Sequence, residues 1–332
     1  MENIKKRVFF LWLALIIFIL TFIALASPTS WADYPNKPIT MICPYAGGTA
    51  DASLRALCSY AEKILGQPIV VINKPGASAS LAAGLIASAK PDGYTIGMIT
   101  FGPLTMAPHM WDVAYDPFNS FEFLFAFGKY MYGPCVRTDS PFKTLKDLIQ
   151  YAKANPGKLK YSTVGLATPT HFGMQLLAKA EGIKWDVIVF KEVQAAVSAC
   201  LGGHLEIVSQ TPAAVVPHIK SGELRLLASM SDTRWKWVPE VPTVRELGYD
   251  FDVVSWLALG TPKGVPKNIL EKLRISFKKA LDDPEFLKLM DRIYVPVVYR
   301  SAEEFKKLVE RDYKVNERII YELGLHKSQQ KK

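Results

Sequence analysis

The stretch MICPYAGGTADASLRALCSYAEKILG, residues 41–66, carries the pattern from which the fold is predicted. An apolar run leads to Gly47 and Gly48, and apolar residues at helical spacing then continue to a stop at Gly66. This order is typical of a strand, a glycine loop and a helix. Such a unit can present backbone N–H groups to an anion. The alternative is a tight turn in which Asp51 only caps the helix.

Strands and helices alternate along the rest of the chain, which predicts α/β domains. A second strand–loop–helix unit, residues 159–182, reads LKYSTV, GLATPT and HFGMQLLAKAEG and pairs with the unit at 39–66. Ligands of open α/β sheets lie beyond the carboxyl ends of the strands. Two such domains facing each other would therefore place both loops across one cleft.

Helix starts are predicted at three further places. Thr144 can cap a helix, Pro266 can open one, and Ser301 with Glu304 forms a capping box. These signals place a helix before the second paired unit and two helices in the C-terminal part of the chain.

The N-terminus is typical of an export signal. Positive residues 5–7 precede an apolar run at 8–26, and small residues at positions 30 and 32 fit a cleavage site. We expect residues 1–32 to be a signal peptide and the protein to be periplasmic. Because the apolar run reaches the lower limit of a membrane span, an uncleaved N-terminal anchor is the alternative.

The charge of the chain favours a small-molecule partner over a nucleic acid. The net charge is +9, but the basic residues are spread out and form no long run. The excess positive charge is compatible with an anionic ligand, or it contributes only to solubility.

Four cysteines, Cys43, Cys58, Cys135 and Cys200, show no metal-binding spacing. Cys43 and Cys58 have the surroundings of buried, small apolar residues. Export would permit disulfides, and the spacing does not choose among the three pairings.

No strong catalytic motif is present. The sequence contains no G-x-x-x-x-G-K-[ST], no G-x-G-x-x-G after a strand, no G-x-S-x-G and no H-E-x-x-H. His171, at a predicted helix start, is the best candidate for a general base, but no nucleophile is arranged beside it. We expect no catalytic residue, no metal and no cofactor.

From residue 34 to about 325 a collinear series of segments carries a family resemblance. The segments are YPNKPITMICPYAGGTAD, LGQPIVVINKPGA, AKPDGYTIGMIT, YAKANPGKLKYSTVGLATPTH, LGGHLEIVSQTPAAVVPHIKSGELRLLA, VPEVPTVRELGY and SWLALGTPKGVPKNILEKL. Together they resemble the solute-binding receptors of tripartite tricarboxylate transporters, also called Bug receptors. Each segment is weak alone, and their order is specific.

The resemblance implies an α/β, two-lobed periplasmic-binding-protein fold of type II, a Venus flytrap with two α/β domains around a ligand cleft. We expect lobe 1 at 33–130 and 256–332 and lobe 2 at 131–255. Crossover segments near 126–137 and 250–258 would act as the hinge, with Ser255-Trp256 where the chain crosses back.

The function that the resemblance implies is capture of a small carboxylic acid and delivery to a membrane permease, by a monomer without catalysis or a nucleic-acid partner. A periplasmic sensor input for a signalling protein is the alternative. A periplasmic hydrolase or transferase is a more remote one.

The ligand-binding residues are carried over from the family's two loops. In the first lobe they are Tyr45, Ala46, Gly47, Gly48, Thr49 and Asp51, and in the second they are Thr163, Gly165, Thr168, Thr170, His171, Ser209, Gln210 and Thr211.

Two segments depart from the family pattern. Residues 78–81 read SASL where a Gly-Gly-Asn type of run is usual, and residues 190–193 read FKEV where Tyr-Lys-Gly-Gly is usual. The loss of glycines restricts the backbone, so ligand preference is not transferable. Lys191 and Glu192 are either a solvated pair or a place where Lys191 meets a distal carboxylate.

Overall fold

The computed structural model describes residues 34–166 and 168–330, so the predicted signal peptide lies outside the described residues. From Lys37 onward the chain forms one unit with two β-sheets. The first sheet contains β1 (Ile39–Cys43), β2 (Ile69–Asn73), β3 (Thr95–Thr100), β4 (Phe121–Met131), β10 (Val254–Pro262) and β11 (Val297–Ser301). The second contains β5 (Gly133–Arg137), β6 (Lys160–Thr163), β7 (Asp186–Val189), β8 (Ile207–Gln210) and β9 (Leu224–Leu226).

Helices connect the strands and cover the sheets. They are α1 (Gly48–Leu65), α2 (Ser80–Ala87), α3 (Phe101–Thr105), α4 (Ala107–Met110), α5 (Leu145–Ala154), α6 (Pro169–Glu181), α7 (Val193–Leu201), α8 (Pro212–Lys220), α9 (Lys267–Leu281), α10 (Pro284–Arg292), α11 (Ala302–Glu322) and α12 (Lys327–Gln330). A short 3₁₀ turn, Ala77–Ala79, precedes α2. Within the described ranges, no helix combines the length and the apolar character needed to cross a bilayer.

Both sheets are built on the same strand order. In the first sheet β1 pairs in parallel with β2 and β3, and β10 runs antiparallel beside β3. In the second sheet β6 pairs in parallel with β7 and β8, and β5 runs antiparallel beside β8. β1 and β6 therefore lie at the topological switch points, where ligands of open α/β sheets bind.

The local signals in the sequence correspond to the observed helix ends. Helix α1 buries Leu54, Leu57 and Ala61 and ends at Gly66, whose φ of 71° is left-handed. Thr144 accepts a hydrogen bond from Asp147 N at the start of α5 and forms a capping box with it. The capping box of Ser301 and Glu304 opens α11, and Pro266 directly precedes α9.

The apolar core of the first sheet also receives a side chain from the second sheet's helices. Trp256 lies at its centre, with its ring centroid 4.4 Å from that of Phe305 and 5.7 Å from that of Phe101. Phe172 of α6 is buried in the same cluster. Burial of one such ring contributes roughly 1.5–3 kcal/mol, so this contact holds α6 against the first sheet.

The chain passes between the sheets twice, and the two passages contact each other. Only Tyr132 separates β4 from β5, and the return passage enters β10 through Val253. Tyr132 Oη donates to Ser255 Oγ over 2.9 Å. Both passages fall within the predicted crossover segments 126–137 and 250–258.

All four cysteines are buried and free in this structure. Burial raises the pKa of Cys43 to about 11 and that of Cys200 to about 12, which favours the neutral thiol. Cys43 and Cys58 therefore act as small core residues, as the sequence predicted.

Candidate functional site

The loop after β1 leads directly into the N-terminus of α1, and there is open space around this helix end. Gly47 and Gly48 have φ values of +80° and +75°, and a Cβ at either position would meet no atom within 4 Å. Gly47 is the N-cap and has no side chain to satisfy the first amides. The first N–H groups of a helix have no intrahelical acceptor. Residues 44–51, called the first jaw below, therefore offer backbone donors and a positive helix end to an anion.

The interpretation of Asp51 as the helix cap is wrong. Asp51 lies inside α1, and its carboxylate accepts hydrogen bonds from Arg55 Nε at 3.1 Å and Asn73 Nδ2 at 2.7 Å. Burial acts to raise the pKa of Asp51, but the bonds from Arg55 and Asn73 outweigh it and hold the pKa below its ordinary value. Asn73 Nδ2 also donates to the Tyr45 carbonyl. Asp51 thus fixes the loop through Asn73.

Two hydroxyl groups of the first jaw are held by neighbouring strands. Tyr45 Oη donates to Thr100 Oγ1 over 3.2 Å, and Thr100 is the last residue of β3. Thr49 Oγ1 lies 3.2 Å from Tyr130 Oη near the end of β4. Ala46 is exposed at the tip of the loop. The jaw therefore combines backbone N–H groups with oriented hydroxyls.

The loop after β6 forms a second hydroxyl cluster at another helix N-terminus. The Oγ1 atoms of Thr163, Thr168 and Thr170 lie 2.9–3.0 Å from one another. Thr168 caps α6 by accepting from His171 N, and its hydroxyl donates to Gly165 O over 2.6 Å. Residues 163–171, called the second jaw below, thus carry several predicted residues in one network.

His171 is engaged within the second jaw. Its Nδ1 lies 2.6 Å from Tyr161 Oη, which also accepts from Gln175 Nε2 over 2.9 Å. A neutral imidazole satisfies this contact in either tautomer, because the Tyr161 hydroxyl can both donate and accept. Burial lowers the pKa of His171, which agrees with this neutral state. The ring is a positioned structural group, and no nucleophile contacts it within the described residues.

The end of β8 adds polar atoms that lack partners. Ser209 Oγ and Gln210 Nε2 are buried and make no hydrogen bond within the described part of the chain, and the same holds for Ser162 Oγ in the adjacent β6. Ser209 and Gln210 are 0% and 2% exposed. An unpartnered buried polar group is costly, and its presence calls for a ligand or a water molecule. Thr211, the N-cap of α8, makes no side-chain cap.

The first jaw and the end of β8 both lie near the chain passage at Tyr132. Thr49 contacts Tyr130, which is two residues before the passage at Tyr132. Gln210 pairs with Gly133, which directly follows that passage. This places Thr49 and Gln210 at the carboxyl ends of strands on either side of one passage, and a cleft between them stays a prediction.

Sequence reasoning missed four residues of this region: Asn73, Thr100, Tyr130 and Ser162. Asn73 and Thr100 are the last residues of β2 and β3, so the rule that ligands lie at carboxyl ends could have found them. Tyr130 has no such signal, because only the tertiary fold brings it to Thr49.

The segment around residues 78–81, which departs from the family pattern, has left-handed backbone angles although it contains no glycine. Ala77, Ser78 and Ala79 have φ values of +46°, +52° and +73°. Left-handed backbone costs roughly 1–2 kcal/mol for a residue with a Cβ. Strain of this kind concentrates at ligand sites, and this segment follows β2 beside the first jaw.

Lys191 and Glu192 follow β7, at the same sheet edge as the second jaw. Both side chains are exposed, and neither forms an ion pair within the described residues. The solvated interpretation and a contact of Lys191 with a distal carboxylate both remain predictions.

A cavity of about 380 Å³ lies at the opposite edge of the second sheet. Arg137, Phe142, Tyr151 and Glu206 are among its lining residues, and none of the predicted ligand-binding residues is. It surrounds the amino ends of β6 and β8, away from the switch point, so it is not the candidate site.

Known proteins of the same architecture are similar over most of the chain. A UPF0065 protein from the gbd 5′ region of Cupriavidus necator is 37% identical over 297 residues, which cover 89% of this chain and 90% of that protein. The periplasmic binding protein BugD superposes with a TM-score of 0.75 at 28% identity and covers 88% of this chain and 99% of its own. MatC from Rhodopseudomonas palustris, solved with bound malate, superposes with a TM-score of 0.74 at 26% identity. The superposition covers 86% of this chain and 100% of MatC.

These similarities confirm the predicted fold class, two α/β sheets in a two-lobed periplasmic-binding-protein fold. The family model described as "Tripartite tricarboxylate transporter family receptor" matches residues 54–325. The chain therefore belongs to the tripartite tricarboxylate transporter receptor family, whose members are solute-binding receptors and not enzymes.

Proposed function

We propose that the protein captures a small carboxylic acid between its two jaws and delivers it to a membrane permease of the tripartite tricarboxylate type. The observation that carries the proposal is the paired geometry at the switch points of the two sheets. At each one a helix N-terminus is lined by hydroxyls and backbone N–H groups. The malate complex of MatC, a relative in structure, supports a carboxylate as the ligand class.

The predicted binding set is almost free of charge. Its one carboxylate, Asp51, is paired with Arg55, and the other polar groups are hydroxyls, an amide, the imidazole of His171 and backbone N–H groups. A ligand carboxylate is therefore balanced by the positive ends of α1, α6 and α8, each equivalent to roughly half an elementary charge. Charge-assisted hydrogen bonds contribute about 1.5–3 kcal/mol each, which suffices for selective capture.

The unpartnered atoms of the second sheet fit the same role. Gln210 Nε2 and Ser209 Oγ have no acceptor among the described residues. A bound carboxylate supplies the acceptors and removes the cost of leaving these donors unpaired.

Binding is proposed to close lobe 1 (33–130 and 256–332) onto lobe 2 (131–255). The passages at Tyr132 and Val253 are single short segments, as a hinge requires. Contacts such as the ion pair of Lys179 in α6 with Glu322 in α11 join the lobes away from the hinge. Delivery to the permease, a periplasmic location and a monomeric state belong to the same proposal.

Isothermal titration of the purified chain with malate, succinate and other small carboxylic acids tests the ligand class. Gly48→Ala puts a methyl group into the open space of the first jaw, and we expect at least about tenfold weaker binding from the loss of one charge-assisted contact. Gly66→Ala is the matched control, because it lies at the other end of α1 with a φ of +71° and equal open space.

A second pair of variants tests the other jaw. Thr168→Ala removes the cap of α6 and one hydroxyl of the cluster, whereas Thr144→Ala removes a comparable cap on α5. Both variants are expected to lose about 1 kcal/mol of stability, but only Thr168→Ala is expected to weaken binding. Equal affinities in both pairs, or no carboxylic acid that binds, would overturn the proposal.

Transport is tested separately. Membrane vesicles that contain a permease of the tripartite tricarboxylate type from the same organism are expected to take up the ligand only when the receptor is added. Uptake that is independent of the receptor would leave the binding role standing and remove the delivery role.

A further inference from the structure

We propose that His109, Glu317 and His326 form a binding site for a divalent transition-metal ion of the zinc class. One nitrogen of each imidazole and one oxygen of the Glu317 carboxylate all lie within 4.8 Å of one another. Two imidazoles and a carboxylate are a donor set that suits Zn²⁺ and leaves a coordination position for water. The site belongs to the first-sheet half of the molecule and shares no residue with the jaws.

Separate elements bring the three side chains together. His109 lies on α4 and is 3% exposed, and Glu317 lies on α11. The chain then turns at Gly324, whose φ is +72°, and Leu325 N donates to Ile320 O over 3.0 Å. This hydrogen-bonded turn folds His326 back toward the helix that carries Glu317.

The hydrogen bonds of His109 prepare it as a ligand. Its Nε2 lies 3.0 Å from the Tyr313 carbonyl oxygen. A carbonyl only accepts, so Nε2 carries the proton and Nδ1 keeps the lone pair. Metal-binding histidines typically donate their second N–H to a backbone carbonyl in this way, which fixes the tautomer and the ring.

His326 is held by Ser328. Its Nδ1 accepts the Ser328 N–H over 3.2 Å and lies 2.7 Å from Ser328 Oγ, so Nε2 carries the proton when no metal is bound. Metal binding at Nε2 would move this proton to Nδ1, where Ser328 Oγ can accept it. The rings of His109 and His326 are 6.2 Å apart between centroids, with planes inclined by 34°. Zn–N bonds are about 2.0–2.1 Å long, and the accessible side chains of Glu317 and His326 can move inward by the remaining distance.

The charges around the cluster leave its carboxylate available. Lys327, the nearest cation in sequence to His326, pairs with Asp112 over 3.1 Å. Glu317 forms no ion pair within the described residues, so its carboxylate is available to a cation. A metal here would join the C-terminal segment after α11 to α4.

Calorimetric titration of the untagged, chelator-treated chain with ZnCl₂ tests the proposal, with melting temperature as a second readout. We expect one Zn²⁺ per chain and a higher melting temperature in Zn²⁺ than in EDTA. Glu317→Gln and His326→Ala change accessible side chains and are expected to fold, and each should weaken Zn²⁺ binding at least about tenfold.

His218→Ala is the matched control, because His218 also contacts a carboxylate, that of Glu223 at 2.9 Å, without a second histidine. It should bind Zn²⁺ as tightly as the unchanged chain. The proposal is overturned if Zn²⁺ does not saturate a single site, or if Glu317→Gln and His326→Ala bind it equally well. The titration needs no carboxylic acid, so its outcome is independent of the proposed function.

Discussion

Replacement of Gln210 by methionine should stabilise the ligand-free protein and weaken ligand binding at the same time. Gln210 is 2% exposed, and its Nε2 has no acceptor within the described residues. Methionine has a similar length and no polar atom, so Gln210→Met removes the unpaired donor without a large change in volume.

The expected changes in stability and affinity follow from the environment of Gln210 Nε2 without ligand and in the complex. An unsatisfied buried donor costs about 1–3 kcal/mol, and allowing for imperfect packing of methionine we expect a gain of about 1 kcal/mol in the free energy of unfolding. At an unfolding entropy of about 2.1 cal/mol/K per residue, this gain corresponds to roughly 1.5 °C in melting temperature for a folded chain of about 300 residues. In the complex the same donor serves a charged group, and its loss should cost about 1.5–3 kcal/mol, or about 10- to 150-fold in Kd.

Thermal unfolding without ligand and calorimetric titration with the best-binding carboxylic acid measure the two effects. Gln175→Met is the control, because Gln175 Nε2 already donates to Tyr161 Oη over 2.9 Å. That variant should lose stability instead of gaining it. The reasoning is refuted if Gln210→Met melts lower than the unchanged protein, or if it binds the ligand with unchanged affinity.

Three further predictions concern strain, packing and pH. Ser78→Gly should raise the free energy of unfolding by up to about 1 kcal/mol, because Ser78 has a φ of +52°, and chemical denaturation that shows a loss would contradict this. Gly133→Ala should destabilise the protein by about 1–3 kcal/mol or more, since the new Cβ would lie 2.4 Å from Ala228 O; an unchanged denaturation midpoint would show that the backbone yields there. Burial lowers the pKa of His171 and of His109 from the model-peptide value of 6.5, so their stabilising contribution is fully present above that value and is lost as pH falls through the folded-state pKa. Stability measured between pH 8 and 5 should therefore fall toward pH 5, and a flat or rising profile would contradict the assignment of neutral imidazoles.

The local elements of the fold were predictable from the sequence because their causes are local. The helix at 48–65 follows from apolar spacing and from Gly66, and the start of α5 follows from Thr144, which bonds to a residue three positions away. The alternation of strands and helices also follows from the repeated strand–loop–helix pattern. These features need no knowledge of which strands become neighbours.

The roles of individual site residues were less predictable because their partners are distant in sequence. The sequence predicts Asp51 as a cap or a ligand acceptor, but its partner Asn73 is 22 positions away at the end of another strand. Thr49 contacts Tyr130, which lies 81 positions further along the chain. The cluster of His109 and Glu317 has no spacing signal at all, because only the packing of α11 against the first sheet brings the two together.

A crystal structure of the protein with its tightest-binding small carboxylic acid tests the central claim most directly. We predict that one ligand carboxylate lies within hydrogen-bonding distance of the Gly48 or Thr49 amide. The same ligand should also contact the second jaw or Gln210. A carboxylate found in the cavity beside Arg137, or bound by one sheet alone with the other jaw empty, would contradict the account.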